Sequence, residues 1–303
     1  MADNVSFKTS MHFTYGEPSP MGPGIVRLVA NNPSPFTFKG TNTYLVGMTS
    51  LAVIDPGPDD QTHIDNILKY AAGRPITHIL ITHAHRDHVD GCARLAAATG
   101  AVTCGYGRTG GAPDVPSASP SGKSFVNYDF EPQNKVRGGD VIAGEDWALE
   151  CLFTPGHAPD HLCFALKGRR VVFSGDHVMA WNTSVIAPPE GSMADYLHSL
   201  QLLMDRSDQV FLPGHGGRIE EPQRTVKAYL LHRRWREQAV LAAIRDGTNT
   251  VNAIVPEVYP NISGPLSIAA ALSVQAHVEH LIARGVLASA PATMSWDHPL
   301  SLA

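Results

Sequence analysis

Three histidines and one aspartate stand within six consecutive positions in the first third of the chain. The segment reads His83-Ala84-His85-Arg86-Asp87-His88. Imidazole and carboxylate groups are the donors that zinc takes from proteins, along with thiolates. In an extended chain His83, His85 and Asp87 would share one face, because side chains alternate with period two, and His88 would point away. All four converge only if the chain turns here around a bound cation. The alternative is a polar loop that is rich in histidine.

Three later segments place a single ligand-type side chain directly after an apolar run that ends in glycine. Glycine and proline let the backbone turn sharply at the end of a strand, which would aim the next side chain into a shared cleft. Each residue alone is more often a surface or hydrogen-bonded side chain, but all three behind the histidine cluster predict one site. The segments are Phe153-Thr154-Pro155-Gly156-His157, Val172-Phe173-Ser174-Gly175-Asp176 and Phe211-Leu212-Pro213-Gly214-His215.

Composition excludes several classes of protein. The 303 residues are 43% hydrophobic and carry a net charge of -5, which gives no global electrostatic case for a nucleic-acid or anionic-membrane partner. No uninterrupted apolar run approaches the roughly 18 residues of a membrane span, and the first residues lack the pattern of a signal peptide. The four cysteines form no Cys-x-x-Cys pair, which favours reduced thiols. We therefore expect a cytoplasmic protein with no membrane partner.

The elements that must position these side chains alternate between strand-like and helix-like segments. Short β-branched runs bounded by Gly, Pro or Asn predict strands, and apolar residues three and four apart predict helices. The order mixes hairpins with crossovers, so it differs from a plain doubly wound α/β protein. The predicted strands are residues 25–29, 43–46, 51–54, 76–82, 101–104, 147–153, 161–166, 170–173 and 209–212, and the predicted helices are 61–72, 90–99 and 192–204.

Two regions depart from this alternation. Residues 105–131 are rich in Gly, Pro and Ser and are too long for an ordinary connection, so they are either a disordered surface excursion or a loop that covers substrate. After Gly217 the sequence predicts helices at about 223–246, 250–258 and 267–283 and a short strand at 286–287. This order suggests a small winged-helix unit. We predict a catalytic domain over residues 1–220 and a winged-helix-like domain over 221–303.

Taken together, these residues resemble the metallo-β-lactamase-fold hydrolases. The matching features follow the order of that superfamily from about residue 25 to 217: Asp55 in Val53-Ile54-Asp55-Pro56-Gly57, the histidine cluster, His157, Asp176 and His215. The resemblance implies an α/β (α+β) fold, an αββα sandwich with the site along one edge of its two sheets.

The resemblance also implies a two-metal site that uses a metal-bridging hydroxide as nucleophile. Two ions about 3.5–4 Å apart can lower the pKa of a shared water towards neutrality. Two zinc ions are expected, and the same donors also suit Mn²⁺ or Fe. The implied ligands are His83, His85 and His157 for the first metal, Asp87, His88 and His215 for the second, and Asp176 as a bridge between them.

Three residues beside the ligands have predicted supporting roles. Asp55 would hold the ligand loop through hydrogen bonds, or form the turn before Pro56-Gly57, or do both. His161 would either donate to substrate or shuttle a proton, or be a buried histidine that is hydrogen-bonded behind the ligands, and His177 has the same alternatives. We take Asp87 and His161 as the candidate catalytic residues.

Asp176 and the run from Phe36 to Gly47 indicate which branch of the superfamily the chain resembles. Class B β-lactamases commonly have cysteine at the position of Asp176, whereas aspartate is typical of the glyoxalase II, lactonase and ribonuclease branches, so we do not expect a true β-lactamase. The run from Phe36 to Gly47 and the tail after Glu221 resemble the β-lactamase-like protein 2 group. Members of that group include an endoribonuclease acting on single-stranded RNA and thioesterases of polyketide pathways.

The charges of the tail argue against RNA. After residue 220 the sequence has seven Lys or Arg and six Asp or Glu, and residues 267–279 contain no Lys or Arg, whereas a domain that binds phosphates needs them. Arg233, Arg234 and Arg236 would contact an anion or form a solvated face. The winged helix would then serve in packing or in dimerisation, and in the second case the protein would be a homodimer.

We therefore expect a dinuclear zinc hydrolase acting on a small acyl thioester or ester. The alternatives are an endoribonuclease or phosphodiesterase acting on single-stranded RNA, a mononuclear iron persulfide dioxygenase with the same cluster, and a winged-helix nucleic-acid-binding regulator with a structural metal.

Overall fold

Two β-sheets packed face to face form the core of the computed structural model, which describes residues 7–107, 124–291 and 294–303. The first sheet contains seven strands in the order β1 to β7, and the second contains five in the order β12-β11-β10-β9-β8. Their inner faces share one apolar cluster that includes Tyr44, Leu80, Leu149 and Phe164. The strands are β1 Ser19–Gly22, β2 Ile25–Val29, β3 Asn42–Val46, β4 Leu51–Ile54, β5 Ile76–Leu80, β6 Val102–Gly105, β7 Asn134–Lys135, β8 Val141–Ala143, β9 Ala148–Phe153, β10 Leu162–Leu166, β11 Val171–Gly175 and β12 Val210–Pro213.

Helices cover the outer faces of both sheets. They are α1 Gln61–Ala71, α2 Arg86–Val89, α3 Cys92–Thr99, α4 Met193–Met204, α5 Pro222–Arg245, α6 Val251–Val258 and α7 Pro265–Ala283. Ile64 of α1 and Leu95 of α3 pack with the first sheet, and Tyr196 of α4 and Tyr229 of α5 pack with the second. The layers therefore follow the order helix, sheet, sheet, helix, which confirms the predicted αββα sandwich.

The predicted ligands follow strand ends that meet at one edge of the sandwich. β4 pairs in parallel with β5, and β11 pairs in parallel with β12, so the carboxyl ends of each pair lie side by side. Backbone hydrogen bonds join the sheets at this edge: Leu162 N donates to Thr82 O over 2.7 Å, and Asn42 N donates to Gly214 O over 2.7 Å. Turns that leave these strand ends therefore open into one common region.

The structure has a strand or helix at nearly every predicted segment, with a few differences. β5 ends at Leu80 rather than at residue 82, because the backbone and hydroxyl of Thr82 donate to Asp55 instead of to a neighbouring strand. Residues 286–287 form no strand, since only Leu287 forms a single bridge, with Leu302. β1, β7, β8 and α2 were not predicted, because β1 contains proline and glycine and the other three have only two to four residues. Residues 108–123 of the predicted long loop lie outside the described residues.

The C-terminal helices pack on two different cores. Val226 and Tyr229, in the first half of α5, belong to the cluster beneath the second sheet. Val240, in its second half, packs with Val251 of α6 and Val274 of α7 in a separate cluster. The division at residue 220 and the winged-helix character of this region stay predictions.

By length and composition α7 could also cross a membrane, which the sequence had argued against. Its window Leu266–Ala283 has a mean hydropathy of 1.3 and is half buried inside the fold. Polar residues interrupt this window, so no continuous apolar run pointed to it. A core helix passes the same test, and one such window is therefore weak evidence for a membrane span.

Candidate metal centre

Seven histidine and aspartate side chains converge at the edge where the two sheets meet. Asp176 lies between two groups of histidines: its carboxylate oxygens are 3.3 Å from His215 Nε2, 3.6 Å from His88 Nε2 and 3.9 Å from His157 Nε2. The structure thus brings all seven predicted ligands together. Three sets have ligand atoms within 4.8 Å of one another, namely His83, His85 and His157; His83, His88 and Asp176; and Asp87, His88 and His215.

A single turn of helix lets the ligand side chains of residues 83–88 converge. His85 is still extended, with φ -68° and ψ 139°, and α2 starts at the next residue. In a helix the side chains advance by about 100° per residue, so Asp87 and His88 both turn towards the cluster. The backbone N–H of Arg86 donates to the carbonyl of Phe125, and the backbone N–H of Asn127 donates to the carbonyl of Ala84, over 2.8 Å each, which holds this turn against residues 125–127.

Hydrogen bonds on one ring nitrogen orient three of the histidines. Nδ1 of His157 lies 2.7 Å from the carbonyl of Val185, and Nδ1 of His215 lies 3.2 Å from the carbonyl of Gly40. Nδ1 of His88 lies 2.8 Å from a carboxylate oxygen of Asp55. Carbonyl and carboxylate oxygens only accept, so each Nδ1 carries a proton and each Nε2 is the nitrogen that faces the cluster and would bind a cation.

Asp55 both forms a turn and bonds to the residues around the ligands. Its backbone has a φ of 50°, and its side chain is buried. One carboxylate oxygen accepts from Thr82 N over 2.8 Å, and the other accepts from the Thr82 hydroxyl over 2.7 Å and from His88. Because the Thr82 hydroxyl gives its hydrogen to Asp55, it accepts from Nδ1 of His83 over 2.9 Å. Asp55 thus orients His88 directly and His83 through Thr82.

Electrostatics leave His83 and His85 as neutral imidazoles and both aspartates as charged carboxylates. Burial, with repulsion from His157, lowers the pKa of His85 to about 3, and burial lowers that of His83 well below its ordinary value. Burial alone would raise the pKa values of Asp87 and Asp176, but His88 and His215 outweigh it and lower both values well below the ordinary one.

Two histidines would hold protons that a cation would replace. Burial lowers the pKa of His215, but Asp176 and Asp87 outweigh it and raise the pKa to about 9. The pKa of His88 is raised well above its usual value for the same reason. Nε2 atoms of these two rings lie only 3.3 Å apart, and Oδ1 of Asp176 is buried without a hydrogen-bond partner among the described residues. Converging lone pairs and an unpaired buried carboxylate oxygen fit divalent cations.

His161 and His177 lie behind the ligands and are fully buried. Nδ1 of His161 contacts the Thr154 hydroxyl at 2.9 Å, and its Nε2 accepts from the backbone N–H of Asp176 over 3.2 Å. These contacts favour the predicted buried role for His161 over proton transfer to substrate. Burial lowers the pKa of His177 to about 3, so its ring is neutral.

The opening of the site is bounded by Asp87, Thr41, Phe38 and Trp181. Asp87, whose side chain is 28% exposed, accepts from the Thr41 hydroxyl over 2.9 Å. Beside His215, the ring of Trp181 stacks on Phe38 with centroids 4.9 Å apart. Asp160 was missed by the sequence reasoning; it accepts from Ala84 N over 3.0 Å, and burial raises its pKa to about 7.

Comparison with known proteins agrees with this geometry. Residues 36–215 match the Metallo-beta-lactamase superfamily (Lactamase_B). The chain is 31% identical over 275 residues to the Beta-lactamase-like protein 2 homolog of Drosophila melanogaster, covering 87% of this chain and 89% of that protein. It is 31% identical over 259 residues to the atrochrysone carboxyl ACP thioesterase of Aspergillus chevalieri, covering 81% and 76%.

Other relatives extend well beyond the region that matches this chain. Lactamase-like protein adaB of Aspergillus niger is 32% identical over 225 residues, which cover 73% of this chain and 63% of adaB. Among solved structures, a beta-lactamase domain protein from Burkholderia ambifaria superposes with a TM-score of 0.76 at 19% identity, covering 97% and 95% of the two chains. The chain therefore belongs to the metallo-β-lactamase superfamily.

Proposed function

We propose that the protein is a zinc-dependent hydrolase with two metal ions that cleaves a small acyl thioester or ester. The observation that carries this proposal is the position of Asp176 between two sets of converging donors, one with His83, His85 and His157 and one with Asp87, His88 and His215. The carboxylate of Asp176 lies 3.9 Å from His157 Nε2 and 3.3 Å from His215 Nε2, so one side chain is placed to serve both ions of a two-metal hydrolase.

The chain's own residues would hold the metal ions and orient the ligand side chains. Bound at the two donor sets, divalent cations would supply a Lewis acid for the substrate carbonyl and an activated water. Asp55 and the carbonyls of Gly40 and Val185 fix the rings so that their lone pairs point inward. Asp87 is the more exposed of the two carboxylates, and the Thr41 hydroxyl orients it. We propose that Asp87 accepts a proton from water at the opening of the site.

Three observations favour an acyl substrate over RNA. The thioesterase from Aspergillus chevalieri is 31% identical to this chain. The partly exposed rings of Phe38 and Trp181 offer an apolar surface next to His215. Helix α7 buries Val274, Val278 and Leu281 in a core cluster and has no Lys or Arg that could contact phosphates.

A cytoplasmic location remains part of the proposal. All four cysteines are buried and free, and burial raises the pKa of each thiol, so they are structural groups rather than reactive ones.

A substrate panel tests the proposal. Wild type, Asp176→Ala and the exposed control Asp205→Ala would be assayed on acyl thioesters, esters, lactones, phosphodiesters and single-stranded RNA. We expect thioester or ester hydrolysis by wild type and Asp205→Ala that chelation abolishes and Zn²⁺ restores, and a loss of at least a hundredfold in Asp176→Ala, on the order of an essential catalytic group. Cleavage of RNA alone would replace the acyl substrate with the ribonuclease alternative. Duplex binding that survives Asp87→Ala, without any hydrolysis, would favour the regulator.

A further inference from the structure

One irregular segment, residues 176–185, supports both halves of the candidate metal centre. It begins with Asp176, the carboxylate between the two donor sets. It ends with Val185, whose carbonyl fixes His157 over 2.7 Å. No helix or strand forms between these two residues, so other parts of the chain must determine their positions.

Side-chain hydrogen bonds draw the two ends of this segment together. The Ser184 hydroxyl lies 2.5 Å from the carbonyl of Asp176 and 2.9 Å from that of His177. From α4, the Tyr196 hydroxyl donates to the same His177 carbonyl over 2.8 Å. Ser184 is therefore the point at which a shift in the segment would reach Asp176.

Helix α5 reaches under the sandwich and holds the middle and the end of the segment. Its Tyr229 hydroxyl accepts from Met179 N over 3.2 Å and contacts the carbonyls of Met179 and Asn182. One turn further along, the Arg233 guanidinium donates to the carbonyl of Ser184. Both α5 side chains are buried, with 0% of Tyr229 and 2% of Arg233 exposed.

Arg233 is an unusual residue to bury. Among the described residues no carboxylate forms an ion pair with it, and its guanidinium lies 5.1 Å from the centre of the Tyr196 ring. Its Nε has no hydrogen-bond partner in the described part of the chain. Because burying a charge without a partner costs several kcal/mol, an apolar side chain of similar length would stabilise the fold equally well or better. The distinctive contribution of Arg233 is its hydrogen bond to Ser184.

We propose that α5 helps to organise the metal centre and that Arg233 is a positioning residue. It acts through Ser184 on Asp176 and Val185. The inference rests on the proposed binding of metal at this site. It makes helix α5 a requirement for metal affinity, although α5 lies in the predicted C-terminal domain.

Zinc competition against a chromophoric chelator tests the inference in the full-length chain. Arg233→Met removes the hydrogen bond but keeps much of the side-chain volume, and Arg234→Met changes an exposed neighbour of the same type. We expect Arg233→Met to weaken zinc binding by about 10- to 100-fold, the usual effect of losing a group that orients a ligand. The metal-free unfolding temperature should stay at or above that of wild type. Arg234→Met should change neither quantity.

Zinc affinities of Arg233→Met and Arg234→Met that agree within about twofold would overturn the inference, since a lost orienting group costs about 10-fold or more. Should Arg233→Met fail to fold, Ser184→Ala decides, with the buried Ser273→Ala as its control. A drop of at least tenfold in zinc affinity for Ser184→Ala alone supports the relay, and equal affinities refute it. Failure of wild type itself to bind zinc would instead refute the proposed function on which the inference rests.

Discussion

The hydrogen bonds around Asp55 give the sharpest prediction for a single substitution. Asp55→Asn keeps the shape of the side chain and suits the φ of 50°, because asparagine is one of the residues that tolerate this conformation. It cannot satisfy three donors, namely Thr82 N, the Thr82 hydroxyl and Nδ1 of His88. In the more favourable of the two amide orientations, the NH₂ group faces the Thr82 backbone N–H and that bond is lost. The bonds from the Thr82 hydroxyl and from His88 remain, but their acceptor is no longer charged.

The expected cost of this exchange follows from the number of bonds affected. A hydrogen bond to a charged group contributes about 1.5–3 kcal/mol, so one lost bond and two weakened ones predict a loss of about 3 kcal/mol in the free energy of unfolding. Zinc affinity should fall by about 10- to 100-fold, because His83 and His88 lose the group that orients them. The control is Asp59→Asn, where an exposed carboxylate pairs with Arg94 at 2.7 Å.

Urea unfolding of the metal-free protein and chelator competition measure the two effects separately. For Asp59→Asn we expect a change in stability below about 0.5 kcal/mol and no change in zinc affinity. If Asp55→Asn matches Asp59→Asn in both measurements, the hydrogen bonds of Asp55 do not organise the ligands, and the reasoning fails.

Three further substitutions test the pH dependence, the opening of the site and the core. Burial lowers the pKa of His63 to about 4. Between pH 6.5 and 4 the folded metal-free state therefore binds fewer protons than the unfolded state, and the free energy of unfolding falls as the pH falls. In urea unfolding across this window, His63→Gln should lose about 3 kcal/mol less stability than wild type. Thr41→Val removes the 2.9 Å bond to Asp87 and the 3.0 Å bond from the Asn32 amide, so it should cost about 1–3 kcal/mol in the free energy of unfolding and lower kcat/KM for thioester hydrolysis by about tenfold. Unaltered kinetics would refute the role of Thr41. Phe164→Ala empties a fully buried position between the sheets and should cost about 3–5 kcal/mol in urea unfolding.

The sequence was most informative where chemistry resides in the side chain itself. His83, His157, Asp176 and His215 could be recognised because ligand types followed predicted strand ends, and parallel pairing brings such ends together. The αββα sandwich was implied by the resemblance to the metallo-β-lactamase-fold hydrolases, and the alternation of strand-like and helix-like segments alone indicated only a mixed α/β protein. Short elements escaped prediction, and the helical turn α2 is the most important of them, because it points His88 into the cluster.

Contacts that depend on tertiary structure could not be predicted. The carbonyls of Val185 and Gly40 orient His157 and His215, and no side chain marks a carbonyl for such a role. His161 had two predicted roles until its contact with Asp176 N favoured one. Arg233 and Arg236 were expected to meet an anion or solvent, yet both are buried. Arg233 instead donates to the carbonyl of Ser184, a pairing that no periodicity reveals.

The central claim is that Asp176 joins two metal sites into one centre. Its most direct test is a crystal of the zinc-soaked protein, with anomalous difference maps measured at the zinc absorption edge. The account predicts two peaks about 3.5–4 Å apart, with Asp176 between them, His157 on one side and His215 on the other. A single peak that Asp176 does not contact, or no peak among these side chains, would contradict it.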